Sequence, residues 1–511
     1  MQLQPDQGPT ADDIVSFGNR SVKRAAGWSF VMNVTRMLST LGTALILAGL
    51  LGPRLFGIVA VALIYVGLLQ LVIQQGLMSA LIQRAGLTHQ QLNTAFWILV
   101  PLSVGLMLIS LIGADAWAQL NGVPDAAPVI RVLSILIVVK SLAVVPEAVL
   151  RRTLQFRPLA VRTTVASTLG ACVGLLWAAI QPSVWALVAQ QLVIESVGCI
   201  VIWTASRWRP HRRLTREGML PLGNFALKTT LSGLAVFANN RLDALLIGLY
   251  FGPTAVGLYR LGGRIVESAV DFTGQPIQQV ALPGLAGLGD DRAAMSARYR
   301  KMVVMLVITS APVMAAIAAT AEPLMQLLGD EWTPAAASLQ LLCVVGVVRA
   351  MIMLNGPLLQ ASGNPGLQAT ISWIGAVLSA VTLVVVGLAL QGESVSAQVV
   401  GMAASRALLF ALVFLPLGQL AVGSRLPDAE MATYLRLVTP PLAACLLAAV
   451  LGALAADAMT DAGTAPVFVV LVVGLGVAAL AVTLSALWPL ETRQLVRQLL
   501  AAAGRVRRRT A

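Results

Sequence analysis

Six polar residues share one face of a predicted membrane helix between residues 256 and 281. They are spaced by three or four residues, so at about 100° per residue they fall within an arc of about 80°. A stripe that only locked helices together would alternate its charges, whereas here like charges stand next to each other and repel. The pattern therefore favours a ligand-binding face over a purely structural one. Its members are Arg260, Arg264, Glu267, Asp271, Gln275 and Gln278.

Charged residues also occur in other predicted membrane segments, with nine cations against five acids in total. Each costs about 2.5–3.5 kcal/mol to insert and usually faces a cavity. We expect an anionic ligand to balance the excess of four positive charges, although any single residue could instead snorkel or pair locally. The candidate ligand-binding cations are Arg36, Lys228, Arg241, Arg260, Arg264, Arg349 and Arg406, and the candidate coupling or cavity acids are Asp243, Glu267, Asp271 and Glu195.

The residue types that catalysis or metal binding requires are scarce in this chain. The four cysteines lie in apolar stretches, the two histidines lie in polar loops, and no GxSxG, HExxH or Walker-type pattern occurs. We therefore predict no catalytic residue, no metal site and no cofactor. A transport cycle could draw on H⁺, since the neighbouring carboxylates Glu267 and Asp271 resist double ionisation, but Na⁺ or the membrane potential would serve as well.

The composition is that of a membrane protein. Of the 511 residues, 58% are hydrophobic and only 11% are charged, whereas a soluble domain carries about 25% charged residues. The sequence predicts an all-α polytopic fold of about fourteen membrane helices, each long enough to cross a hydrocarbon core of about 30 Å. The predicted spans are 28–50, 57–81, 94–114, 127–150, 160–181, 183–205, 222–250, 256–281, 302–321, 335–359, 367–390, 396–420, 434–456 and 465–488.

The basic residues predict the orientation of these spans. Loops on one side, together with both ends of the chain, hold 25 of the 35 lysines and arginines, whereas the opposite loops hold only Arg54. Basic loops stay in the cytoplasm, so we expect a bacterial inner-membrane protein with both termini cytoplasmic. Because the net charge of +13 sits in short loops rather than on a soluble basic face, it does not indicate nucleic-acid binding.

An internal repeat relates the two halves of the chain. The octapeptide 51–58 (LGPRLFGI) matches 251–258 (FGPTAVGL) at an offset of 200 residues, with six predicted helices between them. An even number of intervening helices means parallel repeats. We therefore predict a cytoplasmic segment 1–27, a six-helix lobe 28–205, a basic linker 206–221, a second six-helix lobe 222–420, accessory helices within 434–488 and a basic cytoplasmic tail 489–511.

These features resemble the bacterial polysaccharide flippases (Wzx type) of the MOP superfamily. The resemblance rests on the repeated octapeptide, on the segment from Asn240 to Gly248 that leads into 257–264, and on Ala281-Leu-Pro-Gly-Leu285. It implies that the protein moves oligosaccharide repeat units linked to undecaprenyl pyrophosphate across the inner membrane, by alternating access around a cationic cavity. The expected products are surface polysaccharides or exopolysaccharides. Membrane lipids, a polysaccharide polymerase and chain-length proteins are the further expected partners.

Two other functions stay open at the level of the sequence. One is a multidrug or small-solute antiporter of the same superfamily, although the carboxylate that such exporters often carry in their first helix does not occur between Trp28 and Leu50. The other is a membrane polysaccharide polymerase or ligase. That enzyme class usually needs a long periplasmic loop with acidic or basic residues, and no predicted loop on that side exceeds about a dozen residues.

Overall fold

The computed structural model of the chain is a bundle of α-helices, without any β-strand in the part of the chain that it describes. It describes residues 19–83, 89–153, 155–211, 219–289, 291–426 and 431–487. The helices are α1 Asn19–Gln83, α2 His89–Leu120, α3 Ala126–Leu133, α4 Ile135–Arg152, α5 Phe156–Ile180, α6 Val184–Ala205, α7 Met219–Ala286, α8 Arg292–Ala319, α9 Ala321–Gln326, α10 Ala336–Ile352, α11 Asn355–Ala361, α12 Pro365–Ala389, α13 Val395–Leu409, α14 Leu415–Gly423, α15 Met431–Asp461 and α16 Pro466–Leu487.

Within those residues, twelve helical segments are long and apolar enough to cross a membrane. The prediction of an all-α polytopic membrane protein is therefore confirmed. Helices α1 and α7 have 65 and 68 residues, which is about 100 Å of helix, far more than one crossing requires. Each is interrupted by one glycine with positive φ, Gly52 at 72° and Gly252 at 80°. The predicted count of fourteen spans stays a prediction, because the apolar segments found number twelve.

Each interrupted helix is treated below as two arms. The arms of α1 are α1a (19–51) and α1b (53–83), and those of α7 are α7a (219–251) and α7b (253–286). Both breaks fall at the same position of the repeated octapeptide, in a Gly-Pro pair. Glycine reaches the left-handed backbone without a steric penalty, and proline is well tolerated in the first turn of the helix that follows.

The two copies of the octapeptide pack against each other reciprocally. A Cβ atom added to Gly57 would overlap the carbonyl oxygen of Pro253, and one added to Gly257 would overlap the carbonyl oxygen of Pro53. Small residues allow such close approach of helix backbones in membranes. We call this pair of contacts the glycine interlock. The exchange of equivalent partners is what an approximate two-fold axis between the two halves produces.

Contacts between helices fall into two groups that meet at α1 and α7. Helices α1–α6 pack among themselves, α7–α14 pack among themselves, and the groups touch mainly where α1 lies against α7. Helices α15 and α16 pack on each other and on α8, around a separate hydrophobic cluster. Two lobes and an accessory pair would pack in this way. The predicted domain boundaries themselves stay predictions.

Several helices extend beyond the apolar spans predicted from the sequence. The span predicted at 302–321 belongs to α8, which begins ten residues earlier, at Arg292. The side chain of Asp291 caps this helix by accepting a hydrogen bond from the backbone N–H of Ala294 at 2.9 Å. Hydropathy identifies only the apolar part of a helix that can contact lipid. An N-terminal cap can start the helix further out, in the polar region beyond that part.

Candidate functional site

A central cavity of about 370 Å³ lies between α1b, α6, α7a and α7b. It follows α1b from Phe56 to Leu71, a distance of about 23 Å at 1.5 Å per residue. Most of its wall is aliphatic or aromatic. Among the described residues that line it, three are arginines and none is a carboxylate. The polar lining consists of Gln70, Gln190, Gln191, Arg241, Arg260 and Arg264.

Two of the three cavity arginines have no carboxylate close to them. Among the residues that the structure describes, no carboxylate oxygen lies within 4.0 Å of a side-chain nitrogen of Arg241 or Arg264, whereas Arg260 Nη1 lies 3.9 Å from Glu267 Oε1. Arginine presents a rigid fork of donors that matches phosphate oxygens. The cavity therefore has the chemistry of an anion-binding site with an apolar wall.

The predicted stripe on 256–281 divides when it is placed in the fold. Arg260 and Arg264 face the central cavity, whereas Glu267 lies between Arg260 and Arg349, with 3.9 Å from its Oε1 to the nearest guanidinium nitrogen of each. Asp271 is half-buried one turn further along. Glu267 is thus the shared counter-charge of two arginines, each at the long distance of 3.9 Å. The positive charge of this region is therefore only partly balanced.

Arg406 and Asp243, two of the predicted cavity residues, form a buried pair away from the cavity lining. Arg406 Nε lies 3.3 Å from Asp243 Oδ2, and the two residues are 6% and 4% exposed. Tyr259 donates its hydroxyl proton to the same carboxylate oxygen at 2.7 Å. Arg406 also donates to the backbone oxygen of Asn239. Each charge is satisfied within the protein, so this cluster joins α7 to α13 as a structural element.

The remaining predicted residues are placed as follows. Glu195 forms an ion pair with Lys140 at 3.0 Å and accepts a hydrogen bond at 3.4 Å from Gln191, which lines the cavity. Arg349 lines a second, smaller cavity. Arg36 and Lys228 lie on α1a and α7a, but their side chains are outside the described part of the structure.

Sequence reasoning missed two glutamines of the cavity wall, Gln70 and Gln190. Gln70 is buried on α1b and Gln190 is half-buried on α6. Both are neutral, so an analysis of intramembrane charge passes over them. The sequence could have indicated them, because an amide side chain in an apolar membrane segment also needs a polar partner. Metal binding has no support here, since no group of three or more His, Cys, Asp or Glu side chains suited to a metal occurs in the ranges described.

Similar structures share this fold. The chain aligns with the lipid II flippase MurJ in its inward closed conformation at a TM-score of 0.70, covering 91% of this chain and 98% of that one at 10% identity. It also aligns with an inward-facing MATE family multidrug transporter of the MOP superfamily at a TM-score of 0.54, covering 80% of this chain and 96% of that one at 15% identity. At these identities the likeness concerns the fold alone.

Three of the relatives in sequence come from different bacteria. The succinoglycan biosynthesis transport protein ExoT of Rhizobium meliloti is 28% identical, over 64% of this chain and 66% of its own. The teichuronic acid biosynthesis protein TuaB of Bacillus subtilis is 24% identical, over 58% and 62%. The lipopolysaccharide biosynthesis protein WzxC of Escherichia coli is 24% identical, over 66% and 70%. The chain thus covers slightly less than two thirds of the first two relatives.

A family model matches more than half of the chain. The model described as "Polysaccharide biosynthesis protein" matches residues 46–337, which is more than half of the 511 residues. The matched stretch includes both copies of the octapeptide, all four elements around the central cavity and its three arginines. The chain is a multi-pass membrane protein that belongs to the polysaccharide biosynthesis protein family.

Proposed function

We propose that this protein is a flippase that moves oligosaccharide repeat units linked to undecaprenyl pyrophosphate from the cytoplasmic to the periplasmic leaflet of the inner membrane. The observation that carries the proposal is the central cavity, whose described lining holds three arginines and no carboxylate. A pyrophosphate is the anionic group of such a lipid, and its oxygens accept paired hydrogen bonds from guanidinium groups. Membership in a polysaccharide biosynthesis family supports the same substrate class.

The transport step follows from where the two lobes meet. The glycine interlock holds α1b and α7b together near their first turns, at the side predicted to be periplasmic. The cavity begins beside it, at Phe56. The lobes would rock about the cavity, so that breaking the interlock opens the periplasmic side. The pyrophosphate and sugars stay in the cavity, while the polyprenyl tail stays in lipid.

The orientation, the energy source and the partners belong to this proposal. Both termini are cytoplasmic, because the basic loops lie on their side. An H⁺ or Na⁺ gradient, or the membrane potential, drives the cycle, and the half-buried Asp271 beside Glu267 is the candidate coupling carboxylate. A polymerase and chain-length proteins would receive the flipped units.

An antiporter for cationic drugs fits the cavity poorly. Its arginines repel a cation in an apolar surrounding, where charge repulsion is only weakly screened. The fold likeness to a MATE transporter does not alter this, because the chemistry of a site decides function and the fold does not.

The first prediction tests the function in cells. Deleting the gene in a strain without a second flippase of this class is expected to stop output of the polysaccharide and to accumulate its lipid-linked repeat unit in the cytoplasmic leaflet, because the unit is still made but not moved. Polymer yield and extracted lipid-linked intermediates are the measurements. Normal polymer output in that strain would overturn the proposal.

The second prediction concerns Arg264. Replacing it with alanine should reduce polymer output at least tenfold at nearly normal levels of folded protein, because the residue loses an anionic ligand rather than a protein partner. Arg264→Lys should rescue poorly, since an ammonium lacks the bidentate fork. Arg131→Ala is the matched control, because Arg131 is an exposed arginine paired with Asp115 at 2.6 Å and such pairs contribute little. The contrary outcome is that the Arg264→Ala variant yields little folded protein and that adding Glu267→Ala restores the yield. That result would mean that the stripe has a structural role.

A further inference from the structure

A second cavity, of about 180 Å³, lies in the second half of the chain, between α7a, α10, α11, α12 and the α13–α14 segment. We call it the amide cavity, because its polar lining is mostly neutral amides, with a single charged residue. Two phenylalanine rings of the π-helical turn Phe410–Phe414, stacked with 4.7 Å between their centroids, form part of the wall. The amides and the charge are Asn239, Asn240, Asn355, Gln368 and Arg349.

Two of these amides are only half satisfied. Asn355, 4% exposed, accepts a hydrogen bond from the Tyr299 hydroxyl at 2.7 Å through Oδ1, but its buried Nδ2 has no hydrogen-bond partner among the described residues. Asn239 donates from Nδ2 to the backbone oxygen of Ser372 at 2.8 Å, and its buried Oδ1 likewise has none there. A buried polar atom that stays unpaired is energetically unfavourable. Two residues of the cavity wall thus carry one buried donor and one buried acceptor without a partner in the described part of the chain.

This combination identifies the chemical class of the ligand. A sugar hydroxyl is both a donor and an acceptor, so it can pair with an amide N–H and an amide oxygen. A phosphate offers only acceptors and would be repelled by the free Asn239 oxygen. An acyl chain would leave Asn355 Nδ2 and Asn239 Oδ1 unpaired. An apolar ring wall with a few convergent polar groups is the usual composition of a small-molecule site.

One carboxylate lies between arginines that line the amide cavity and the central cavity. Arg349 lines the amide cavity and Arg260 lines the central cavity. Glu267 Oε1 lies 3.9 Å from a guanidinium nitrogen of each. Neighbouring residues of α7a also divide between the two cavities, since Asn240 lines the amide cavity and Arg241 the central one. A headgroup could therefore place its pyrophosphate in one cavity and a sugar in the other.

We propose that the amide cavity is a glycan subsite that binds a sugar residue of the lipid-linked substrate while the central cavity holds the pyrophosphate. This inference rests on the proposed function. It adds that the second lobe contributes to recognition of the glycan. The sugar is recognised through hydrogen bonds with neutral side chains rather than through charge.

Binding to the purified full-length protein in detergent tests the subsite. The probes are undecaprenyl pyrophosphate without a sugar and the same lipid carrying one glucose or one N-acetylglucosamine. The variants are Asn240→Leu and Gln368→Leu, which remove an amide at nearly constant size. Gln360→Leu on the exposed face of α11 is the matched control. We expect each cavity variant to lose about fivefold in affinity for a glycosylated lipid, as for one or two neutral hydrogen bonds, and to bind the bare lipid as the wild type does.

The other outcomes separate the subsite from the function. If the wild type binds bare and glycosylated lipids, and each variant changes the affinity for both lipids equally or for neither, the subsite is wrong and the flippase proposal stands. If the wild type binds none of the lipids, the proposed function itself fails. Should the leucine variants misfold, an Ile371→Cys variant replaces them, because Ile371 lines the amide cavity. Glycosylated lipid, but not bare lipid, should protect that cysteine from alkylation, and equal protection by both would overturn the subsite.

Discussion

Alanine at Gly57 is expected to lower the thermal stability of the protein and to abolish transport. The added Cβ would overlap the carbonyl oxygen and carbonyl carbon of Pro253, which are backbone atoms that no rotamer change can move. Overpacking of this kind costs about 1–3 kcal/mol, and here it falls on the interlock, which lies beside the cavity residue Phe56. Gly257→Ala should behave in the same way, because its Cβ would overlap the backbone of Pro53.

The matched control is Gly105→Ala in α2. Gly105 is also a helical glycine, but a Cβ there meets no heavy atom within 4 Å. Alanine is favoured over glycine in a helix by about 1 kcal/mol, so this variant should be neutral or slightly stabilised. The two substitutions are the same, and their predicted effects have opposite signs.

Melting temperature in detergent and polymer output in cells measure both effects. A single cysteine at Phe56, in a protein without its four natural cysteines, adds a third measurement, because Phe56 lies beside the interlock and lines the cavity. An impermeant reagent added from the periplasmic side should label it faster in Gly57→Ala than in Gly105→Ala. Equal stability and equal labelling of the two variants would mean that the arms do not meet as closely as described.

Replacing Arg406 with methionine is expected to destabilise the protein by about 3–5 kcal/mol, because it leaves the buried carboxylate of Asp243 without its counter-charge. The guanidinium also lies 5.3 Å from the Phe410 ring centroid, so methionine restores some packing but none of the charge. The double variant with Asp243→Asn should recover most of the loss, since it removes the orphaned charge and leaves Tyr259 an acceptor. Folded yield and melting temperature across the four-variant cycle give the coupling energy.

If removing Arg406 does not destabilise the protein, Arg406 would be a ligand-binding residue, as the sequence predicted. In that case Arg406→Met would fold like the wild type and fail only in transport. Asp243→Asn alone would not be destabilised, and the double variant would be no better folded than either single one.

Hydropathy and charge along the chain were sufficient for the fold class. Lipid contact forces long apolar helices, since each backbone N–H and C=O must be satisfied within the spanning element. The repeat was also visible in the sequence, because the octapeptides 51–58 and 251–258 match. The structure shows that Gly52 and Gly252 within them supply the positive φ at which each long helix is interrupted. That the two copies contact each other could not be inferred, because repetition in sequence fixes equivalent positions and leaves their contacts open.

The cavity was anticipated only in part. Arg260 and Arg264 were singled out from their spacing, and both line the central cavity. Arg406 and Asp243 were selected because they are charged residues in predicted membrane segments, but they pair with each other across 163 positions of the chain at 3.3 Å. A charge inside a membrane segment must be compensated, and the sequence does not say whether a ligand or another helix compensates it.

The sequence by itself determined that this chain crosses a membrane many times, that its halves repeat, and that its membrane segments carry excess positive charge. These properties follow from totals of hydropathy and charge along the chain and from the repetition of a sequence motif. Only the tertiary structure decided which of those charges remain unpaired in a cavity, where the backbones interlock, and that neutral amides line a second cavity beside the first. Each of these depends on distances between residues far apart in sequence, which are set by how the helices pack.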